Sequence, residues 1–179
     1  LALHDAKHNA RGSYRLYEQS LQKNAGEQHD LEVGLRRALF LQEFTLFYQA
    51  QVRMQDRKIV GFEALIRWEK PGAGIISPVR FIPLAEETGE IHEIGKWVLQ
   101  TACREATAWP EDIKVAVNVS PVQFENGNLK QIVQAALSAS GLTPQRLELE
   151  ITEGLLIKNV ANALEQLKEI QALGVSVAM

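Results

Sequence analysis

The sequence predicts an α/β fold built around a parallel sheet, and three observations predict it. From residue 114 onward, short apolar runs alternate with helix-length segments in the order strand, helix, strand, helix, strand. Strands separated by helices of this length pair in parallel through crossover connections. Upstream, two strand-like runs (45–52 and 59–68) are joined by the short turn MQDRK, which makes that pair antiparallel. Hydrophobic residues make up 46% of 179, enough for the core of about one domain. A parallel α/β barrel with one reversed strand fits this order. On pattern alone an open doubly wound sheet fits nearly as well.

The elements follow in order. Residues 1–10 are helix-like and stop at Gly12, and SYRLY (13–17) alternates like a short strand. SLQKNAGEQHD (20–30) is polar and reads as a linker. Asp30 is placed to cap a helix over 31–42 that presents Leu31, Leu35, Ala38 and Leu39 on one face. After the antiparallel pair, KPGAG is a turn. SPVRFIPLAEE (77–87) is a short helix with proline near its start, and a long helix over about 89–108 is ended at Pro110. KVAVNVS (114–120) is a buried strand. A helix over 126–140 closes at Gly141, LELEIT (147–152) is a strand, a helix over 157–172 ends at Gly174, and VSVAM (175–179) is a strand. There is no internal repeat and no low-complexity tract.

Bulk charge narrows the partners. The formal net charge is −3 and no basic stripe is present. Polymeric nucleic acid requires clustered Lys and Arg, so it is excluded as a partner, whereas a small nucleotide held by a few placed groups is not. The single cysteine, Cys103, permits no disulfide framework and fits a reducing, cytoplasmic compartment. It reads as a small buried residue on a helix. His4, His8, His29 and His92 lack metal-ligand spacing. No apolar run approaches the ~20 residues of a membrane helix, and the first residues lack the apolar segment of a signal peptide. This segment is expected to make no membrane contact, and a tether elsewhere in a parent protein stays open.

The chemistry lies in polar residues within strands that otherwise look buried. Run 59–68 carries Glu63 and Arg67, run 114–120 carries Asn118, and run 147–152 carries Glu148 and Glu150, with Glu153 just after it. Ligands of α/β sheets and barrels bind at the carboxyl ends of strands, where Asn118 and Glu150 stand. Two carboxylates and an amide carbonyl form an all-oxygen set suited to Mg²⁺ or Mn²⁺. A nearby guanidinium suits a phosphate oxygen. Together they suggest metal-assisted phosphoester chemistry. Each residue also has a plainer reading. Glu63, Glu148 and Glu150 alternate as on any strand with one wet face, and Asn118 suits the turn before Ser120-Pro121. Strands flanked by crossover helices rarely expose a face to water, which strengthens the chemical reading of the group.

Glu63-Ala64-Leu65, with Ile66 and Arg67, resembles the EALxR signature of the EAL domain family, the cyclic-di-GMP phosphodiesterases. Tyr48-Gln49 resembles that family's YQP segment, ISPVRFIPLAEETGEI (76–91) its helix-forming stretch, and VNVSPVQF (117–124) and LELEITE (147–153) its next two motifs. The resemblance covers about residues 30–179, with five motifs in order. ALHDAKHNARGSYRLY (2–17) resembles the closing helix and strand of a GGDEF domain. The implied organisation is a GGDEF remnant over 1–19, a linker over 20–30 and the N-terminal part of an EAL domain over 31–179.

The resemblance implies a modified TIM-like (β/α) barrel with an antiparallel first strand. It implies Mg²⁺- or Mn²⁺-dependent hydrolysis of cyclic-di-GMP to the linear dinucleotide pGpG. By motif, Glu63, Asn118 and Glu150 would be metal ligands, Arg67 would bind a substrate phosphate and Gln49 would contact the nucleotide. Leu65 would wall the pocket between Glu63 and Arg67, and Glu153 would brace the loop after the strand that ends at Met179. Glu63 and Glu153 are thus the catalytic candidates. In the two-metal scheme the ions acidify a water and stabilise phosphoryl charge. Ala50 stands where the family usually has proline. The family continues past the position of Met179 with an Asp-Asp-Phe-Gly motif that completes the metal site, so the 179 residues alone are expected to be inactive. Two alternatives stand beside hydrolysis: a degenerate EAL domain that binds cyclic-di-GMP without cutting it, and a regulatory module acting through contacts such as a homodimer.

Overall fold

The computed structural model describes residues 19–151 and 160–178. Its helix and strand expected over 1–17 lie outside the described residues, as does Glu153. Six strands form one sheet: β1 (Phe44–Val52), β2 (Ile59–Lys70), β3 (Gly74–Ile76), β4 (Lys114–Val119), β5 (Leu147–Ile151) and β6 (Ser176–Ala178). Five α-helices accompany them among the described residues: α1 (Gln19–Ala38), α2 (Pro78–Thr88), α3 (Ile91–Ala106), α4 (Leu129–Ser140) and α5 (Val160–Ala172). The spatial order is β1-β2-β4-β5-β6, with β3 pairing only β2. β1 and β2 are antiparallel, while β2–β4, β4–β5 and β5–β6 are parallel, as the strand spacing predicts.

Two expectations are corrected. The helix expected over 31–42 starts earlier and ends sooner: α1 runs unbroken to Ala38, and the polar run 20–30, read as a linker, is helical and forms its first half. The run has no proline or β-branched residue, and its second half is anchored by buried Leu31, Leu35 and Ala38. Helix is therefore propagated outward from a packed end rather than nucleated in the polar part. The chain turns after Ala38, with Gln42 at positive φ (55°). The stretch after the KPGAG turn holds a further strand, β3, which pairs back on Trp68–Lys70. With three residues it lacks the length for an alternation signal.

Pleating divides the sheet into two faces. On the outer face Ala64, Trp68, Val115, Val117, Val119, Leu147, Leu149 and Ile151 are buried in the core. An aromatic cluster closes one end, with Phe44 5.8 Å from Phe81, 5.9 Å from Trp97 and 6.1 Å from Trp68 between ring centres. Tyr48, also on this face, donates its hydroxyl to Glu105 of α3 at 2.6 Å and meets Trp109 edge-on, so it anchors α3. Burial and that bond raise the Tyr48 pKa far above the usual phenol range. Cys103 is fully buried on α3, as read from the sequence, and burial pushes its thiol up to about 12.

The inner face is strongly curved. Gln51 of β1 donates to Glu150 of β5 at 3.0 Å, although β2 and β4 lie between them. Three strand steps in a flat sheet would separate them by about 14 Å, beyond the reach of two side chains standing side by side. The curvature selects the barrel over the open doubly wound sheet.

Candidate active site on the inner face of the sheet

Register brings the candidate residues onto one face. Gln49 stands opposite Glu63, Glu63 is level with Ala116, and Asn118 is level with Glu150. Glu63, Leu65 and Arg67 follow one another along β2 at period two and share that face. The structure thus brings Glu63, Asn118 and Glu150 together across three adjacent strands. Asn118 Nδ2 donates to Glu63 Oε1 at 2.7 Å, and Gln51 Nε2 donates to Glu150 Oε1 at 3.0 Å. Each carboxylate is held by one amide.

Burial, the largest cause, and the charge of Glu63 raise the Glu150 pKa; the Gln51 hydrogen bond opposes this, and Glu148 adds to the repulsion. Glu148 itself has a different setting. Its carboxylate lies 3.6 Å from Lys114 Nζ, which also donates to Ser176 Oγ at 3.2 Å. The two acids of β5 look identical in the alternating sequence, yet Glu148 has its own cation one level lower, and Glu150 has none among the described residues.

Arg67 stands further along the face, apart from the carboxylates. Its guanidinium donates to Ile66 O at 2.9 Å and sits 5.4 Å from the Phe47 ring centre. No ion pair joins it to an acid among the described residues. Gln49 is exposed on the same face. A cleft of about 300 Å³ opens beside the site, with Leu65, Arg67, Asn118, Ile82, Glu86 and Ser120 among its walls. Leu65 and Arg67 line this cleft, whereas Glu63, Glu150 and Gln49 do not.

The loop after β4 is anchored to the helices. Ser120 caps the short 3-10 turn Pro121–Phe124 in a reciprocal capping box with Gln123, and its hydroxyl donates to Glu86 Oε1 of α2 at 2.6 Å. Glu86 and Gln51 escaped the sequence reading. Glu86 sits on a helix whose pattern shows only amphipathicity. Gln51 shares the parity of Gln49 along β1, a signal that shows its face but not its distant partner. Among the described residues no group of three or more His, Cys, Asp or Glu side chains is placed to hold a metal ion. The oxygen donors present are two carboxylates and the Asn118 amide.

This geometry meets its relatives at several levels. A signaling protein of Caulobacter vibrioides is 43% identical over 100% of this chain and 22% of its own length. The bifunctional diguanylate cyclase/cyclic di-GMP phosphodiesterase MucR of Pseudomonas aeruginosa is 39% identical over 99% of this chain and 27% of its own. The chain thus spans about a quarter of the length of these relatives. The solved PaMucR phosphodiesterase, in complex with c-di-GMP, superposes with a TM-score of 0.79 at 39% identity, covering 83% of this chain and 62% of that one. The EAL domain model matches residues 32–179, the span that carries every strand of the sheet and each acid and amide of the inner face, and the chain belongs to the EAL domain family.

Proposed function

We propose that this chain contributes the acidic half of a cyclic-di-GMP phosphodiesterase site that hydrolyses the cyclic dinucleotide to linear pGpG with Mg²⁺ or Mn²⁺. One observation carries the reading: Glu63, Asn118 and Glu150 converge on the inner face, tied by the 2.7 Å Asn118–Glu63 bond. Hard cations take such all-oxygen donors. Burial first, and then the charge of Glu63, raise the Glu150 pKa, and a divalent cation would relieve the repulsion between the two carboxylates. Bound there, the metal supplies Lewis-acid stabilisation of phosphoryl charge and acidifies a water.

The chain's own residues do the rest. Glu63 and Glu150 hold negative charge at fixed positions, and the Asn118 amide nitrogen orients Glu63 while its carbonyl oxygen serves as a neutral donor. Arg67, propped on Phe47, offers its fork of donors to a phosphate oxygen. Leu65 and the cleft beside it exclude water from one side, and Gln49 is available to a base or sugar edge. Glu153 is assigned to bracing the loop that follows the last strand.

The test is turnover of cyclic-di-GMP, with pGpG resolved by chromatography. In the full-length protein we expect activity that chelation removes and Mg²⁺ or Mn²⁺ restores. Glu63→Ala should lower kcat by roughly 10²-fold or more; near-normal turnover in that variant would sink the proposal. A receptor reading is favoured by one observation, the absence of a three-acid cluster among the described residues. Tight nucleotide binding without turnover at saturating Mg²⁺ and Mn²⁺ would establish it instead.

A further inference from the structure

We propose that Gln51 is a positioning residue for the acidic site: it reaches across the inner face and fixes Glu150 in the orientation from which its carboxylate takes a divalent cation. The inference rests on the metal reading above. Its first support is the path of the side chain. Gln51 belongs to β1, at one edge of the sheet order, yet its amide bonds Glu150 Oε1 on β5 at 3.0 Å.

That path has been cleared. Gly61 pairs with Gln51 on β2, and a Cβ there would stand 3.0 Å from Gln51 Oε1 and 3.1 Å from the Lys114 carbonyl oxygen. Gly61 is not among the glycines with positive φ, so its backbone conformation does not require glycine. The requirement is steric, and the passing amide is part of it. On β4 the same face carries Ala116, small and fully buried. The β1–β2 register shifts between Gln51 and Val52, the kind of bulge that re-aims a side chain next to a site.

The chemistry suits the role. Nε2 can only donate, so it holds one oxygen of Glu150 without cancelling the carboxylate charge. A lysine in that place would compete with the cation. The neighbouring acid, Glu148, is partnered separately by Lys114, so Gln51 is addressed to Glu150 alone.

Mn²⁺ binding to the full-length protein, read by the electron paramagnetic resonance signal of free Mn²⁺, tests this without recourse to turnover. Gln51→Met keeps the length and removes the donor. It should weaken the Mn²⁺ Kd by about tenfold or more, the usual cost of losing a ligand-orienting hydrogen bond. Its melting temperature in EDTA should stay within about 3 °C of wild type. In turnover by the full-length protein, the metal concentration for half-maximal rate should rise while kcat at saturating Mn²⁺ stays within about threefold, a split that general destabilisation would not give. Should Gln51→Met fail to fold, Gly61→Ala decides: it retains Gln51, displaces its amide and should weaken Mn²⁺ likewise. Unchanged Mn²⁺ affinity in the folded variant overturns the role of Gln51 alone. Full-length wild-type protein that takes up no Mn²⁺ overturns the metal reading and this inference with it.

Discussion

At the scale of single residues, the inner face sets charge against stability. The folded-state pKa of Glu150 is raised, first by burial and then by Glu63. A carboxyl shifted upward contributes stability that is complete below its unfolded value of about 4.3 and is lost as pH rises through the folded value. At neutral pH without metal, the ionised group is therefore a destabilising element. Glu150→Gln should raise the melting temperature in EDTA by about 1–3 °C at pH 7, with the difference vanishing near pH 4. If the proposed metal site holds, Mn²⁺ should stabilise the wild type and the same change should abolish that stabilisation. Thermal melts at two pH values with and without metal check both; a variant less stable than wild type at pH 7 in EDTA would contradict the account. Arg67 is a different case, because its guanidinium is held by Ile66 O and Phe47 rather than by an acid. Lysine keeps the charge but loses the planar fork and the ring stacking. Arg67→Lys should raise KM for cyclic-di-GMP by about tenfold with a smaller change in kcat.

At the scale of elements, the loop after β4 is the joint between site and scaffold. Ser120 ties it to Glu86 of α2, and Gln123, 4% exposed, packs its amide against Gly95 of α3. A Cβ at Gly95 would collide with the Gln123 side-chain amide. Gly95→Ala should therefore destabilise by about 1–3 kcal/mol, the usual range for overpacking, and should disturb the loop that follows Asn118 and the end of β4. Chemical denaturation gives the first quantity and Mn²⁺ affinity reports the second. The elements also show what the sequence could reveal. Every strand with alternating or continuous apolar residues was legible, because burial of one face leaves a period-two trace. β3 was not, at three residues, and neither was the first half of α1, whose polar residues carry no apolar stripe and are helical by continuity with Leu31, Leu35 and Ala38. Candidate residues Glu63, Asn118 and Glu150 were legible because they interrupt buried strands. The distinction between Glu148 and Glu150 was not, since only the position of Lys114 makes it.

At the scale of the whole molecule, one curved sheet separates stability from chemistry. Curvature is a sum over strands, so no local pattern distinguishes the barrel from an open sheet, and the Gln51–Glu150 bond that reveals it joins residues 99 positions apart. Curving brings inner-face side chains into contact and leaves the outer face to the helices. Adjacent residues of β5 should then respond in opposite ways. Leu149 is fully buried among the outer-face core, and Glu150 points inward to Gln51. Leu149→Ala removes packed methyl groups and leaves a cavity, at a cost of about 2–5 kcal/mol. For a chain of this size that lowers the melting temperature by roughly 5–15 °C. Well below that midpoint the folded fraction still carries an intact inner face, so Mn²⁺ affinity should change by less than about twofold. Glu150→Gln should do the reverse, with stability kept and metal lost. If Leu149→Ala weakened Mn²⁺ as much as Glu150→Gln does, the two faces would be one cooperative unit, and the division of labour across the sheet would have to be abandoned.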